Sequence, residues 1–76
     1  MHKTTWRKTM NNEEIGVLIK QRRVLLNIKQ SDLAEIAKVG LRYLNDIENG
    51  KGNPSIGKLE KILSVLGLQM DINIKK

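Results

Sequence analysis

The chain of 76 residues has no cysteine and no phenylalanine, and only one tryptophan, one tyrosine, one proline and one histidine. Without cysteine there is no disulfide framework and no thiolate chemistry. The single histidine, His2, sits in a polar leader, so no Cys/His cluster for zinc can be assembled. Lysines and serines are present, but none stands in a recognisable nucleophile context, and Glu13-Glu14 reads more simply as a helix start than as a carboxylate dyad. No enzyme, metal or cofactor is expected. No apolar run approaches the roughly 18 residues that span a bilayer. Residues 1–10, MHKTTWRKTM, hold no apolar stretch of the signal-peptide kind. The expected setting is the cytoplasm, and no membrane partner is expected.

Basic charge is what the chain has in excess. Fourteen Lys and Arg against eight Asp and Glu leave a net charge of +6, with a pI near 9.9. Such an excess points to an anionic partner, most simply nucleic acid. Lys3, Arg7 and Lys8 supply half of it from within the leader. Residues 1–10 therefore read either as a basic DNA-contacting arm or as a solvated tail before an alternative start at Met10. Trp6 in this leader is idle or an anchor; its neighbours do not decide. The rest is one domain, and a chain this short buries only about 60% of its unfolded surface, which makes dimerisation a natural supplement.

The central stretch from Gln30 to Gly50, QSDLAEIAKVGLRYLNDIENG, carries the most information. Leu33, Ala34, Ile36 and Ala37 share one helical face, and Leu44 and Ile47 repeat the spacing after Lys38-Val39-Gly40. Ala34 is small where two steeply crossing helices approach, and Val39 fills the space between them. This is the pattern of two helices joined by a tight turn, the second free to enter a major groove.

Around that unit the chain predicts a helix starting after Asn11 or Asn12, with Ile15, Leu18, Ile19, Arg22/Arg23 and Leu25/Leu26 along its stripe and Asn27 as its stop. The second helix runs over 30–37, behind a Lys29 that cannot cap it. The third runs over 41–48, with Gly40 at its cap and Asn49-Gly50 at its end. Lys51-Gly52-Asn53-Pro54 is a turn rather than a phosphate cradle, since no strand precedes it and no GK[ST] follows. Ser55 caps a fourth helix that buries Ile56, Leu59, Ile62, Leu63 and Leu66 and stops at Gly67. The period then changes to two: Leu68, Met70, Ile72 and Ile74 alternate with polar residues, which is strand spacing. A lone strand leaves its backbone unsatisfied, so its simplest partner is the same strand of a second copy, antiparallel across a two-fold axis.

Gln30-x-x-Leu33-Ala34, Val39 and Leu44-x-x-Ile47-Glu48-Asn49-Gly50, with Arg23 before them, closely resemble the Xre type, the Cro/CI-like helix-turn-helix family. The match covers about residues 15–66. It implies an all-α, lambda-repressor-like bundle of four to five helices, divided here into an arm (1–10), a DNA-binding domain (11–67) and a C-terminal β-strand pairing across a dimer (68–76). The ending LGLQMDINIKK looks like the HipB-like branch, antitoxins encoded beside HipA-type kinase toxins. That resemblance implies autorepression of a toxin–antitoxin operon and a HipA-like kinase partner. A stand-alone phage or restriction–modification regulator is the alternative, and an interaction protein that mainly holds a toxin is another.

The resemblance also implies a structural ion pair between Arg23 and Glu48 and a phosphate contact by Gln30 at the start of the second helix. Leu41, Arg42, Asn45 and Asp46 are the outward positions of the third helix and the candidates for base contacts. Arg42 suits guanine, Asn45 adenine or a phosphate, and Leu41 a thymine methyl. Asp46 accepts from cytosine or, more simply, orients Arg42 four residues away. Tyr43 packs on the sugar-phosphate edge or joins the core. Asn49 and Lys51 are placed near phosphate.

Overall fold

A computed structural model describes residues 10–68; the expectations for the arm residues Lys3, Trp6, Arg7 and Lys8, and for Met70, Ile72 and Ile74, lie outside these residues. Helix α1, Asn12–Leu25, begins where an amide side chain meets the free backbone donors. Asn11 Oδ1 accepts the Glu14 N–H at 2.8 Å, and Glu14 Oε1 accepts the Asn11 N–H at 3.0 Å. This reciprocal box satisfies two donors that the helix itself cannot. Glu13 and Glu14 in the first turn and Arg22 and Arg23 in the last complement the helix dipole. The chain reverses at Asn27, held left-handed at φ 59°, a conformation that Asn tolerates.

Helix α2, Gln30–Ala37, starts at Lys29 without a side-chain cap. Lys38 then takes a left-handed conformation, and the Val39 N–H closes on the Ala34 carbonyl at 3.0 Å. That turn delivers the chain directly into α3, Leu41–Glu48. After Gly50 (φ 75°), the Lys51 N–H returns to the Asp46 carbonyl at 2.8 Å. Ser55 Oγ accepts the Lys58 N–H at 3.2 Å and so caps α4, Ile56–Val65.

Helix α3 packs against α1 and α2, and α2 also packs against α4. Ile19, Leu33, Leu44, Ile62 and Leu66 are fully buried at the centre, and Ala34 and Ala37 are buried in the same cluster. Each large aliphatic side chain so buried contributes about 1.5–3 kcal/mol. Val39 packs on the same core, as does half-buried Tyr43. Gly16 marks a close approach of α1 to the end of α3: a Cβ there would press on the Ile47 carbonyl oxygen and lie 2.8 Å from that of Glu48.

Four apolar residues expected inside are exposed: Leu25, Leu26, Ile36 and Ile56. Leu25 lies about 150° round the helix from the Gly16–Ile19–Arg23 line that meets α3, by the geometry of 3.6 residues per turn. Leu26 follows the last turn of α1. Ile36 lies about 100° round from the mean direction of Leu33, Ala34 and Ala37. Ile56 opens α4 before that helix reaches the core at Leu59. Four helices and no strand occur among the described residues. Leu68 itself is the last of them; its N–H bonds the Leu63 carbonyl at 2.8 Å and its side chain packs on the core.

Candidate nucleic-acid interface

Helix α3 divides sharply. Leu44, Ile47 and Glu48 are buried, whereas Leu41, Arg42 and Asn45 are exposed and Tyr43 and Asp46 lie between. Glu48 is the one buried charged residue among those described. Its carboxylate is met from two other helices. Arg23 Nε donates to Oε2 at 2.7 Å and Nη2 to Oε1 at 3.0 Å, while Nη1 reaches the Ile28 carbonyl at 2.9 Å. The side chains are 13% and 2% exposed, respectively. The planar guanidinium matches both oxygens at once, as a Lys could not.

Gln30 Nε2 donates to the same Glu48 Oε1 at 3.1 Å and approaches Asn45 Oδ1 at 3.4 Å. The first residue of α2 is thereby tied to the exposed side of α3. No buried side-chain nitrogen or oxygen lacks a partner among the described residues. Because the network is satisfied, it fixes one arrangement of α2 against α3. The uncapped first turn of α2 and the outward residues of α3 then lie on one side of the molecule. Free backbone N–H groups at a helix start suit a phosphate, and Arg and Asn suit base edges.

The remaining candidates fall around this face. The Tyr43 hydroxyl accepts the Ser55 N–H at 3.1 Å, and Lys58 Nζ lies 4.6 Å from its ring centroid. Its own O–H remains a donor. Asn49 Nδ2 donates to the Asn45 carbonyl at 2.9 Å. Lys51 is exposed at the end of the α3 turn. Among the described residues no ion pair joins Arg42 to Asp46, so the expected orienting contact is not made. The Asp46 carbonyl instead receives the Asn49 and Lys51 N–H groups and shapes the turn.

Three features escape the sequence reading: the Gln30–Asn45–Glu48 link, the Tyr43–Ser55 bond and the Gly16 contact. The first two join residues 12–18 apart on different elements, which no local spacing reveals. The third had a signal, a glycine inside a helical stripe, which often marks close backbone approach. No cluster of metal-ligating side chains occurs among the described residues. No helix among them is long and apolar enough to cross a membrane.

The chain is similar to known proteins. A regulator from Sinorhizobium fredii, the uncharacterized HTH-type transcriptional regulator y4mF, is 42% identical over 59 residues, 78% of each chain. The immunity repressor of Bacillus phage phi105 is 39% identical over 56 residues, 74% of this chain and 39% of its own length. The structure of SinR, a master regulator of biofilm formation, in complex with DNA superposes with a TM-score of 0.67 at 46% identity. That similarity covers 72% of this chain and 89% of the SinR chain. Residues 19–73 match the helix-turn-helix family HTH_3, and the chain belongs to that family.

Proposed function

We propose that this chain is a sequence-specific DNA-binding repressor that acts as a homodimer on a two-fold-related operator. The observation that carries this reading is the Gln30–Glu48–Arg23 network, which holds the start of α2 and the outward face of α3 on one side. In this reading α3 enters the major groove, Leu41, Arg42, Asn45 and Asp46 face base edges, and the α2 N-terminus with Gln30 receives a phosphate. Tyr43, Asn49 and Lys51 meet neighbouring phosphates. Lys3, Arg7 and Lys8 follow the minor groove as an arm. Residues 68–76 pair as a strand with a second copy and set two recognition helices about one DNA turn apart. A dimer seated over a promoter represses by occlusion. The similarity to SinR bound to DNA supports the groove assignment.

Affinity for DNA should fall steeply with salt, because phosphate contacts by Lys and Arg release counterions. Lys51→Ala should weaken operator and random DNA alike and flatten the salt slope. Arg42→Ala should instead erode discrimination at one base pair, by about 1–3 kcal/mol. Titrations of both variants against operator and scrambled duplex decide this; equal losses on both duplexes from both changes would remove α3 as the reader.

The finer assignment rests on LGLQMDINIKK, residues 66–76. On that basis the chain is a HipB-like antitoxin that autorepresses its operon and holds a HipA-like kinase. The rival is a free-standing phage or restriction–modification regulator, favoured by the similarity to the phi105 immunity repressor. Purification with the product of the adjacent gene separates them: a stable complex with a kinase is expected of the antitoxin, and an unaccompanied dimer that still binds its own promoter identifies the regulator.

A further inference from the structure

Glu48 fixes more than the position of Gln30. A carboxylate paired with Arg23 only accepts hydrogen bonds, so the Gln30 atom 3.1 Å from its Oε1 is the amide nitrogen. That nitrogen carries two hydrogens. One goes to Glu48, and Asn45 Oδ1 lies 3.4 Å away to receive the other. The Asn45 atom that meets Gln30 is therefore the carbonyl oxygen, because a second NH2 group there would set donor against donor. Amide orientation is thus passed outward, from a buried carboxylate, through a half-buried amide, to an exposed one on α3.

The first consequence concerns phosphate. With both hydrogens engaged, the Gln30 side chain has no donor left to offer an anion. The Leu33 N–H closes on the Lys29 carbonyl at 2.9 Å, and the N–H groups of Gln30, Ser31 and Asp32 precede the first helical bond of α2. A phosphate at this helix start is met by those main-chain groups, Gln30's own among them.

The second consequence concerns bases. Asn45 Nδ2 is left with two hydrogens and no hydrogen-bond partner among the described residues; Asn49 bonds the Asn45 main-chain carbonyl and not its amide. In the major groove, purine N7, guanine O6 and thymine O4 accept, whereas cytosine presents only its N4 donor. An amide free to turn could meet either kind, through Oδ1 or through Nδ2. An amide held by its oxygen meets the acceptors.

We propose that Gln30 is a positioning residue for base recognition. By holding Asn45 Oδ1 it commits Nδ2 to the DNA side, so that Asn45 selects a base with a major-groove acceptor and rejects cytosine. This rests on the reading of α3 as the helix that enters the groove.

The test uses the full-length chain. Wild type, Asn45→Ala, Arg42→Ala and Gln30→Met each select from a randomised duplex library at one salt concentration. Asn45 reads the base pair whose preference disappears in Asn45→Ala. There wild type should disfavour cytosine by about tenfold, toward the lower end of what one good base contact provides. Gln30→Met keeps the side-chain length and removes the amide. It should abolish most of that discrimination while the pair read by Arg42 and the affinity for random duplex stay as in wild type. A loss spread over every position would make Gln30 merely structural, and a loss on random duplex would make its amide a phosphate donor; either overturns the proposal. So does a wild-type preference for cytosine, or discrimination that survives Gln30→Met while Asn45→Ala removes it.

A measurement on the free wild-type chain needs no variant to fold. The side-chain NH2 signals of Gln30 should exchange with solvent severalfold more slowly than those of Asn45, and equal exchange would overturn the proposal. Should the Gln30 amide prove protected while Asn45→Ala and Arg42→Ala leave the selected sequence unchanged, the network stands, but the groove reading of α3 fails and takes the base assignment with it.

Discussion

Gly16→Ala should lower the stability of the domain substantially. Two effects of opposite sign compete at this position. Alanine in a helix interior gains up to about 1 kcal/mol over glycine from backbone entropy. Here its Cβ would press on the Ile47 carbonyl oxygen and lie 2.8 Å from the Glu48 carbonyl oxygen and 3.0 Å from the Glu48 carbonyl carbon. These are backbone atoms, so no rotamer change relieves the contact. Separating α1 from α3 also strains the Arg23–Glu48 pair beside it. Overpacking of this kind costs about 3 kcal/mol or more at its upper end, so the net loss is about 2 kcal/mol, or roughly 10 °C in Tm for a domain of this size. Gly57→Ala supplies the contrast. It lies in α4 with open space where a Cβ would be, and it should stabilise by up to about 1 kcal/mol. Thermal melts of the two variants should move in opposite directions. A Gly16→Ala chain that melts at or above wild type would show that α1 and α3 do not meet this closely.

Arg23→Ala should be costlier still. The substitution leaves the Glu48 carboxylate, whose side chain is 2% exposed, with Gln30 as its remaining side-chain donor. It also removes the donor that Nη1 gives to the Ile28 carbonyl at the α1–α2 turn. Stranding one partner of a buried pair costs about 3–5 kcal/mol, a large part of what a small domain possesses. Removing both charges is a different matter. Arg23→Met with Glu48→Met trades the pair for apolar contact and should lie well above Arg23→Ala in stability, because buried pairs often gain little over packed hydrocarbon. The double variant should nevertheless bind DNA poorly, since Gln30 loses its Glu48 anchor. Denaturant unfolding of the single and double variants tests the account: an Arg23→Ala midpoint equal to wild type would make the pair energetically idle.

Local signals located much of the fold. Asn11, Ser55, Asn27 and Gly67 are cap and stop residues whose side chains or backbone freedom act within three or four positions, and they bound α1 and α4 where expected. The Lys38-Val39-Gly40 turn was similarly legible, since a short connector between two apolar-periodic runs leaves few alternatives. Burial was less so. Leu25, Ile36 and Ile56 are apolar at helical spacing, yet a residue type does not say whether a neighbouring helix exists on that flank. The site divides in the same way. Arg42 and Asn45 are outward by periodicity alone, given Leu44 and Ile47 inside. The ion pair of Arg23 with Glu48 came from family likeness, because 25 residues separate the partners. The position of Gln30 at a helix start suggests a phosphate contact, and nothing local in the sequence shows that Glu48 and Asn45 hold its amide.

The arrangement around Glu48 separates two kinds of change that such a protein can accumulate. Arg23, Gln30 and Glu48 share buried hydrogen bonds to which Asn45 is joined through Gln30, so altering them disturbs the packing of α1, α2 and α3 as well as the proposed DNA-facing side. Leu41 and Arg42 are exposed at the start of α3, with no side-chain hydrogen bond or ion pair among the described residues. Exposed substitutions away from such networks usually shift stability by no more than about 0.5 kcal/mol. If α3 reads DNA as proposed, new operator preferences are open to drift or selection at 41 and 42 without compensating repair in the interior. A change at 45 also alters the contact with Gln30. On the proposed DNA-facing side of α3, the scaffold leaves positions 41 and 42 free to vary and ties position 45 to the interior network.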